Sequence, residues 1–574
     1  MKTGRSVRLG LACAVCSIMV VCGASGQSET VPVQHPVYAF LKRMEVKGII
    51  SRYHDAVLPL GRRTVGRFLD EIRTAQHTLS RTEQEILVDY LREFQYDRTG
   101  STGGFLNVTD PADDITSAGP AGEFSDREKF IYFQADSAVT TFANILLDVD
   151  ARRAAGTGEE GRRAEYVQFG VAARGTFLGH LGYSLRATNA QFWGSRELLQ
   201  EDPQIRLSHA LGVTNAQNFD FAEGYVRYDG GVISAQVGRE RLLWGNGYDE
   251  KMILSDNPRE FDFIRADAVV KSFSYTFVHA WLLGRSTEQL PFVLPSDSSS
   301  VFSETVAADK YFAAHRFGFS FPGVVDVGFQ EMAVYSNRAP DLAYLNPLTI
   351  IESSQRSRGE RDNVFWAFDL QAHCIPGIEL SGTLLFDDIN IPDLFSDVWT
   401  NRFALQAGVF IADPAGISNT SLMVEYTRIE PYVFSHGRSR EGDYGSLGMI
   451  LGPRIGPNAD AWSFRADVVP SRNLITSLRV QVERQGENIV DDNGTLIRNV
   501  GGDFLQPHRT TDPERRTFLD GNRVSTLRAA LLLSWEPVNQ IWLDVIMEYA
   551  HVRSSAPARS MDHTTVQVRV RTEL

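Results

Sequence analysis

Most of this sequence alternates apolar and polar residues with a period of two, in segments of about ten residues. In one segment near the C-terminus, Leu543, Val545 and Met547 lie on one face, and Asp544 and Glu548 lie on the other. Successive side chains of a β-strand point to opposite sides, so this segment predicts a strand with one apolar and one charged face. Many such strands in one chain restrict the fold to an all-β sandwich or a barrel.

The connections between these segments are alternately short and long. The turns at 322–323 and 376–377 are short, whereas the connections at 285–309, 336–362 and 429–459 are long. The strand that follows the turn at 230–231 is expected to end at Trp244. Counted to the C-terminus, the segments predict about 18 strands, an even number that is typical of bacterial outer-membrane barrels. We therefore predict an all-β transmembrane barrel of about 18 antiparallel strands, with its short turns in the periplasm. A soluble sandwich is the alternative. The stretch 129–136 also alternates and is a plug, an extension of the first strand, or a strand left out of this count.

The N-terminus has the pattern of an export signal. Basic residues precede a short apolar run over 9–21, and the small residues 24–26 follow it as a cleavage site. We therefore assign residues 1–26 to a cleavable signal peptide and expect the mature protein in the cell outer membrane. Lipoprotein processing at Cys22 is the alternative.

Helical periodicity is confined to residues 31–97, where the spacing predicts three short amphipathic helices. Ser80 and Glu83 form a capping box at the start of the third helix. We expect these helices to form a small α-helical periplasmic domain, followed by a linker over 98–125 and by the outer-membrane β-barrel over 126–574. The helical pattern also resembles surface-layer homology repeats, which bind cell-wall polymers.

The charge balance and the absence of catalytic motifs exclude several function classes. The chain has 57 basic and 71 acidic side chains, and its net charge is −14. Nucleic-acid binding relies on Lys and Arg, so we expect no nucleic acid as a partner. There is no GxSxG or HExxH motif, and we predict no enzyme activity, no cofactor and no metal. A hydrolase using His315-Arg316 with the acidic pair at 387–388 is an alternative, as is Ca²⁺ binding by that pair or the pair at 249–250.

Polar and aromatic motifs concentrate at the predicted outer ends of the strands and in the long loops. Aromatic rings stack on the apolar faces of sugar rings, and amides and carboxylates hydrogen bond with hydroxyl groups. We therefore predict a polysaccharide-binding extracellular mouth with no catalytic residue. The structural alternative is that its aromatic residues form a girdle at the lipid interface and its polar residues form turns. The predicted mouth residues are Trp244, Asn246, Asp256, Asn257, Arg316, Tyr335, Tyr344, Asn346, Asp362, Asn363, Asp387, Asp388, Glu425, Tyr426 and Asp460.

Parity within the strands predicts where three charged residues point. Asp387 shares its face with Glu379, and Arg316 shares its face with Ser320, so both should point into the lumen. Glu331 falls on the lipid-facing phase, where a carboxylate is costly. We therefore expect Glu331 to lie beyond the membrane edge, unless a bulge reverses the phase.

Taken in order, these segments resemble those of the Wzi-type capsule assembly family of outer-membrane proteins. The resemblance covers most of the mature chain and includes GRERLLWGNG, YFAAHRFGF, YLNPL, RDNVFWAFD, MVEYTRIEPY and LGPRIGPNAD. It implies an 18-stranded barrel with a periplasmic helical domain. It also implies a lectin-like role in holding secreted capsular polysaccharide at the cell surface, without catalysis.

The predicted function is attachment or organisation of capsular or extracellular polysaccharide at the cell surface. We expect a monomer surrounded by outer-membrane lipid. The alternative is a porin-like channel for small solutes or saccharides, because a barrel of this size can leave an aqueous lumen. A third hypothesis is a scaffold whose helical domain binds periplasmic or outer-membrane polysaccharide export machinery.

Overall fold

The computed structural model describes residues 27–109, 126–136, 138–157, 161–200, 218–294, 297–357, 359, 361–387, 396–555 and 558–574. The predicted signal peptide and most of the predicted linker lie outside the described residues. The mouth residue Asp388 lies outside them as well.

The described residues form a closed antiparallel barrel of 18 strands, which confirms the predicted fold class. Its first and last strands pair between residues 146 and 156 and residues 563 and 573. The strands are β1 Thr140–Gly156, β2 Arg163–Phe177, β3 Leu181–Gly194, β4 Asn218–Asp229, β5 Ile233–Glu240, β6 Phe261–Val270, β7 Phe273–Leu294, β8 Asp297–Phe321, β9 Val325–Ser336, β10 Asn363–Ile375, β11 Ile378–Asp387, β12 Arg402–Ala412, β13 Thr420–Ile429, β14 Ala459–Ser471, β15 Leu474–Glu487, β16 Asn522–Val538, β17 Ile541–Ser555 and β18 Ala558–Glu573.

The short segment Tyr132–Ala135 pairs with the beginning of β1, next to the seam where β18 joins the same strand. It is therefore a separate short strand of the wall at the seam, and not a continuation of the first strand. Four further two-stranded pairings involve only short segments, among them Gly445–Ser446 with Met449–Ile450 and Ile489–Val490 with Leu496–Arg498.

The alternating apolar and polar residues of each strand form the outer and inner faces of the barrel wall. Val568 and Val570 of β18 face outward and are 42% and 38% exposed. Between them, Arg569 faces inward and donates to Asp148 of β1 at 2.8 Å. Arg571 pairs in the same way with Asp544 of β17 at 2.7 Å. Charges on the inner face are thus neutralised by the neighbouring strand, whereas the outer face suits lipid.

The N-terminal helices pack on one another through their apolar stripes. The helices are α1 Val37–Val46, α2 Arg62–Thr74, α3 Arg81–Glu93 and α4 Gln95–Thr99. The predicted capping box is present: Glu83 N donates to Ser80 Oγ, and Ser80 N donates to Glu83 Oε2. None of the helices in the described part of the chain is long and apolar enough to cross a membrane.

The helices dock onto the barrel at the end with the short turns. Arg43 of α1 bonds to Glu83 at 2.9 Å and also contacts Asp413 and the Thr420 carbonyl in the β12–β13 turn. Burial alone would raise the pKa of Glu83, but hydrogen bonds from Lys47 and the Ser80 backbone, with the charge of Arg43, hold it below its usual value. The docking contact is therefore a compact set of charges with little access to water.

The lumen is crossed by two segments that meet inside it. Val57 and Leu58, from the connection after α1, pair with Trp244 and Leu243, from the connection after β5. Trp244 is 1% exposed. It belongs to a core that includes inward-facing residues of nine consecutive strands, β6 to β14. This half of the lumen is filled by packed side chains.

Two connections differ from the predicted organisation. The segment 285–309 was expected to be a long loop, but β7 and β8 continue as a paired hairpin to Leu294 and Asp297. The strand expected to end at Trp244 stops at Glu240, and the chain then turns into the lumen. In the first case, strand pairing overrides the local polar composition from which loops are recognised. In the second case, burial of Trp244 in the lumen overrides the local alternation from which the strand was predicted.

We predict that Arg43→Met will undock the helical domain. The substitution keeps much of the aliphatic stem but removes the guanidinium group from Glu83 and Asp413, which then keep only Lys47 as a charged partner. Loss of hydrogen bonds between charged groups costs about 2 kcal/mol. Limited proteolysis should then cut residues 27–99 faster, while the heat-modifiable migration of the folded barrel is kept. Arg81→Met is the control, because the Arg81 side chain is 92% exposed and pairs only within its helix. Equal protease resistance in the two variants would contradict this account of docking.

Candidate functional site

Three long connections pack together at the end of the barrel opposite the helical domain. They are the β11–β12, β13–β14 and β15–β16 connections, and we call them together the rim. Arg516 joins all three, because it donates to the Asn401 carbonyl at 2.9 Å and contacts Glu430. Arg515 pairs with Asp397 at 2.9 Å, and Tyr432 N donates to the Gly501 carbonyl at 3.0 Å. The rim is therefore one assembled surface.

The β13–β14 connection is held over the lumen by polar side chains from the barrel wall. Asp387 accepts a hydrogen bond from Phe434 N at 2.6 Å, and Arg402 donates to the Ser435 carbonyl at 2.7 Å. Asn363 donates to the Gly442 carbonyl at 3.0 Å. These wall side chains bind backbone groups of the loop. They therefore fix the path of the loop backbone independently of the loop's own side chains.

A pocket of about 330 Å³ opens between this connection, the β15–β16 connection and the β7–β8 hairpin. Arg438 and Arg440 are exposed at its edge, and Lys310 beneath it is paired with Asp443 at 2.9 Å. Basic side chains outnumber acidic ones here, although the chain as a whole is acidic. The lining residues are Arg285, His436, Gly437, Arg438, Ser439, Arg440, Glu441, Gly442, Asp443, Phe504, Leu505 and Pro507.

Beside this pocket the rim carries an aromatic cluster. The rings of Trp399 and His508 are parallel within 1°, with centroids 4.0 Å apart. Tyr432 meets both rings edge-on, and burial raises its pKa above the usual value. Each ring comes from a different one of the three connections, so the cluster forms only when the rim is assembled.

Hydrogen bonds to one carboxylate hold the β15–β16 connection in shape below these rings. Asp512 accepts from Asn499 at 2.9 Å and from Arg509 at 2.7 Å. Burial opposes ionisation of Asp512, but the bonds from Arg509 and Asn499 lower its pKa below the ordinary value. Since Asp512 stays ionised well into the acid range, this connection keeps its shape at neutral pH.

Five of the predicted mouth residues lie inside the lumen. Trp244 and Asn257 belong to the segment that fills it, and Asn257 donates to the Ile450 carbonyl at 2.8 Å. The remaining three interact with wall or loop groups rather than with an open surface. Asn246 donates to Asp369 at 3.1 Å, Arg316 donates to the same carboxylate at 2.7 Å, and Glu425 accepts from Tyr248 N at 2.6 Å.

Six predicted mouth residues lie on the outside of the barrel wall. Tyr335 and Tyr344 pack against each other, and Tyr344 donates to Asp362 at 2.7 Å. Asn346 is exposed in the same connection. On the far side of β13, Tyr426 donates to Asp460 at 3.2 Å.

The other predicted residues are at the rim or near it. Asn363 and Asp387 hold the β13–β14 connection, as described above. Asp387 and Arg316 point into the lumen, as parity predicted, and Asp256 is exposed. The structure thus divides the predicted set among the lumen, the outer wall and the rim, and their role in polysaccharide binding stays a prediction.

The residues that line the rim pocket were not predicted from the sequence. The stretch His436 to Glu441 carries two arginines in an otherwise acidic chain, and that local basic excess was an available signal. Trp399 and His508 gave no signal, because they are far apart in sequence and meet only through tertiary packing.

The residues considered for acid–base chemistry do not come together. His315 faces the outside of the wall, whereas Arg316 faces the lumen and pairs with Asp369. Asp387 is engaged by Phe434 N and lies 3.3 Å from Arg402. This arrangement offers no shared reaction centre for the three groups.

The possible metal ligands already face protein cations. Asp249 lies 3.1 Å from Arg479, and Glu250 lies 2.5 Å from Arg454. Among the described residues, Glu45, His373 and Glu379 could also converge on an ion. Lys42 Nζ lies 2.6 Å from Glu379 and 3.1 Å from Glu45, so an ammonium group already supplies the positive charge between those two carboxylates.

The chain was compared with known proteins. A model of the family described as capsule assembly protein Wzi matches residues 151–520. The fold is similar to that of Wzi from Escherichia coli, described as an outer membrane protein involved in group 1 capsule assembly and as a carbohydrate binding β-barrel. That similarity covers 94% of this chain and 99% of that chain, at 10% identity and a TM-score of 0.55.

Two barrels of Pseudomonas aeruginosa, OccK5 (OpdH) and OpdO, match at TM-scores of 0.42 and 0.41, with 10% and 12% identity. Each match covers 76% of this chain, and 98% and 97% of the respective barrels. A search of curated protein sequences finds no significant match. The family match spans more than half of the sequence and agrees with the closed barrel, and the chain therefore belongs to the capsule assembly protein Wzi family.

Proposed function

We propose that this protein is a lectin-like outer-membrane barrel that attaches or organises capsular or extracellular polysaccharide at the cell surface. The single observation that carries the proposal is the rim pocket, where exposed arginines border an opening beside an aromatic cluster. Family membership and the similarity in fold to a carbohydrate-binding barrel support the same proposal.

The chemistry of the rim suits a sugar polymer. Arg285, Arg438 and Arg440 offer several N–H donors around one opening, and such donors bind both hydroxyl groups and carboxylates. Trp399 and His508 add ring surface on which pyranose faces can pack. A polymer lying along the rim would meet both features, and many weak contacts in series would hold it.

The residues predicted from sequence take supporting roles in this proposal. Asp387 and Asn363 hold the β13–β14 connection that carries the arginines. Trp244, at 1% exposure, contributes to the packed lumen and not to a contact surface. The same packing favours attachment over conduction, because half of the lumen is occupied by side chains.

The orientation follows from the rule that short turns of such barrels face the periplasm. The helical domain, at the short-turn end, is then periplasmic, and the rim is extracellular. Polysaccharide export machinery is a suitable partner for the exposed surface of the helical domain. We assign no catalytic step and expect the barrel to act as a monomer.

Deleting the gene should shift polysaccharide from the cell-bound to the released fraction, without lowering the total amount made. The reason is that attachment, and not synthesis, is lost. Cell-bound and released polymer are measured after washing, and the wild-type gene supplied in trans is the control. Unchanged retention on the cells would reject the proposed function.

The double variant Arg438→Gln and Arg440→Gln should weaken binding of the soluble polysaccharide by roughly tenfold or more. Each arginine that loses a hydrogen bond made by a charged group costs on the order of 1.5 kcal/mol, and about 1.4 kcal/mol corresponds to tenfold in Kd. Binding is measured on the purified full-length barrel by surface plasmon resonance.

Arg498→Gln is the matched control, because Arg498 is a partly exposed rim arginine outside the pocket and pairs with Asp520 of its own connection. Its affinity should stay within about twofold of wild type, which is under 0.5 kcal/mol. An equal loss in both variants would mean that overall rim charge, and not the pocket, holds the polymer. No loss in the double variant would remove the pocket from the proposal.

A further inference from the structure

The connection between β9 and β10, residues 337–362, lies against the outside of the barrel and not over its mouth. We call it the external flap. The N-terminus of its helix, Ile351–Ser357, is bound by Glu331, an outward-facing residue of β9. Ile351 N and Glu352 N donate to the Glu331 carboxylate at 2.7 and 2.8 Å. Further down the wall, Tyr275 of β7 donates to the Pro347 carbonyl. The flap thus descends along the wall from the rim.

The wall beneath the flap carries polar side chains on its outward face. His279 is 0% exposed and its Nε2 lies 2.7 Å from Tyr335 Oη. Tyr335 Oη also accepts from Asp341 N in the flap, at 3.1 Å. His315 and Glu331 lie lower on the same face and are 3% and 5% exposed. Polar groups facing hydrocarbon without partners are costly, so the flap shields a stretch of wall that lipid alone could not cover.

The small side chains of this wall make room for the flap. Ala313 and Ala333 face outward between the aromatic residues and are fully buried under it. Glu331 therefore keeps the lipid-facing phase with no bulge in the β8–β9 register, and the flap supplies its hydrogen bonds. This explains how a carboxylate is tolerated at a position where parity predicts lipid.

The flap buries Tyr344 and Ile351 against the wall and also carries large apolar side chains on its outer surface. Arg338 donates to both oxygens of Asp362, at 2.8 and 2.7 Å, within the flap. On the other side, Leu342, Leu348 and Ile350 are 80%, 87% and 65% exposed. A loop that faces water rarely leaves three large apolar side chains together on its outer surface.

This apolar surface is continuous with the lipid-facing surface of the barrel. Phe368 and Leu370 of the neighbouring strand β10 face outward and are 46% and 43% exposed. We propose that the external flap is inserted into the membrane, with Leu342, Leu348 and Ile350 in contact with the hydrocarbon of the surrounding lipid. The flap then replaces part of the wall as the lipid-facing surface. This role is separate from polysaccharide binding at the rim.

Site-directed spin labelling tests the contact. The full-length barrel with Cys374→Ala and Leu348→Cys is labelled with a nitroxide and reconstituted in phosphatidylcholine vesicles. Cys374→Ala removes the one cysteine among the described residues. Phe368→Cys gives the lipid-facing reference, and Asp397→Cys at the rim gives the aqueous reference, since the Asp397 side chain is 54% exposed. We expect the label at 348 to match the one at 368, with high collision rates for oxygen and low rates for a water-soluble nickel chelate.

Two results would overturn the proposal. A high collision rate with the nickel chelate, as at 397, would show that the flap faces water. Low rates for both reagents, with dipolar broadening that disappears on dilution with unlabelled protein, would show that a second copy covers the flap. If the Leu348→Cys barrel lacks heat-modifiable migration, Ile350→Cys is measured in its place against the same references.

Discussion

The need to satisfy every backbone polar group inside a lipid bilayer is the constraint on which the rest of this structure depends. Hydrocarbon offers no hydrogen bonds, so strands can cross it only as a closed barrel. Pairing of β1 with β18 provides that closure. Inside the closed wall, charges are paired between neighbouring strands, as Arg569 is with Asp148. Docking of the helical domain follows the same rule through Arg43.

The same constraint determines which surfaces of the barrel remain available for binding. The outer face is committed to lipid, and half of the lumen is filled by a core around Trp244 that joins segments entering from both ends. In the proposed function, recognition of the polysaccharide is therefore left to the rim. There, Asp387 and Asn363 hold the backbone of a long loop, so that its arginines stay exposed around a pocket.

Sequence alone predicted the features that repeat along the chain and failed where contacts are long-range. The period of two predicted the strands, and the alternating connection lengths predicted the closed even-numbered barrel. Parity correctly turned Asp387 and Arg316 inward, because side-chain direction in a strand is a local property. Trp244 could not be assigned to the core from sequence, since its burial depends on Val57, far away in the N-terminal region. The hydrogen-bond partners of Glu331 could not be predicted from sequence either, because they are backbone groups of a helix that folds back over the wall.

Hydrogen exchange of the full-length barrel, measured with and without soluble polysaccharide, tests most directly whether the rim is the binding surface. The account predicts slower exchange on binding in peptides that cover residues 436–443 and 504–508, with no change in the external flap or the helical domain. Protection confined to the lumen segments or to the helical domain, with the rim unchanged, would contradict it.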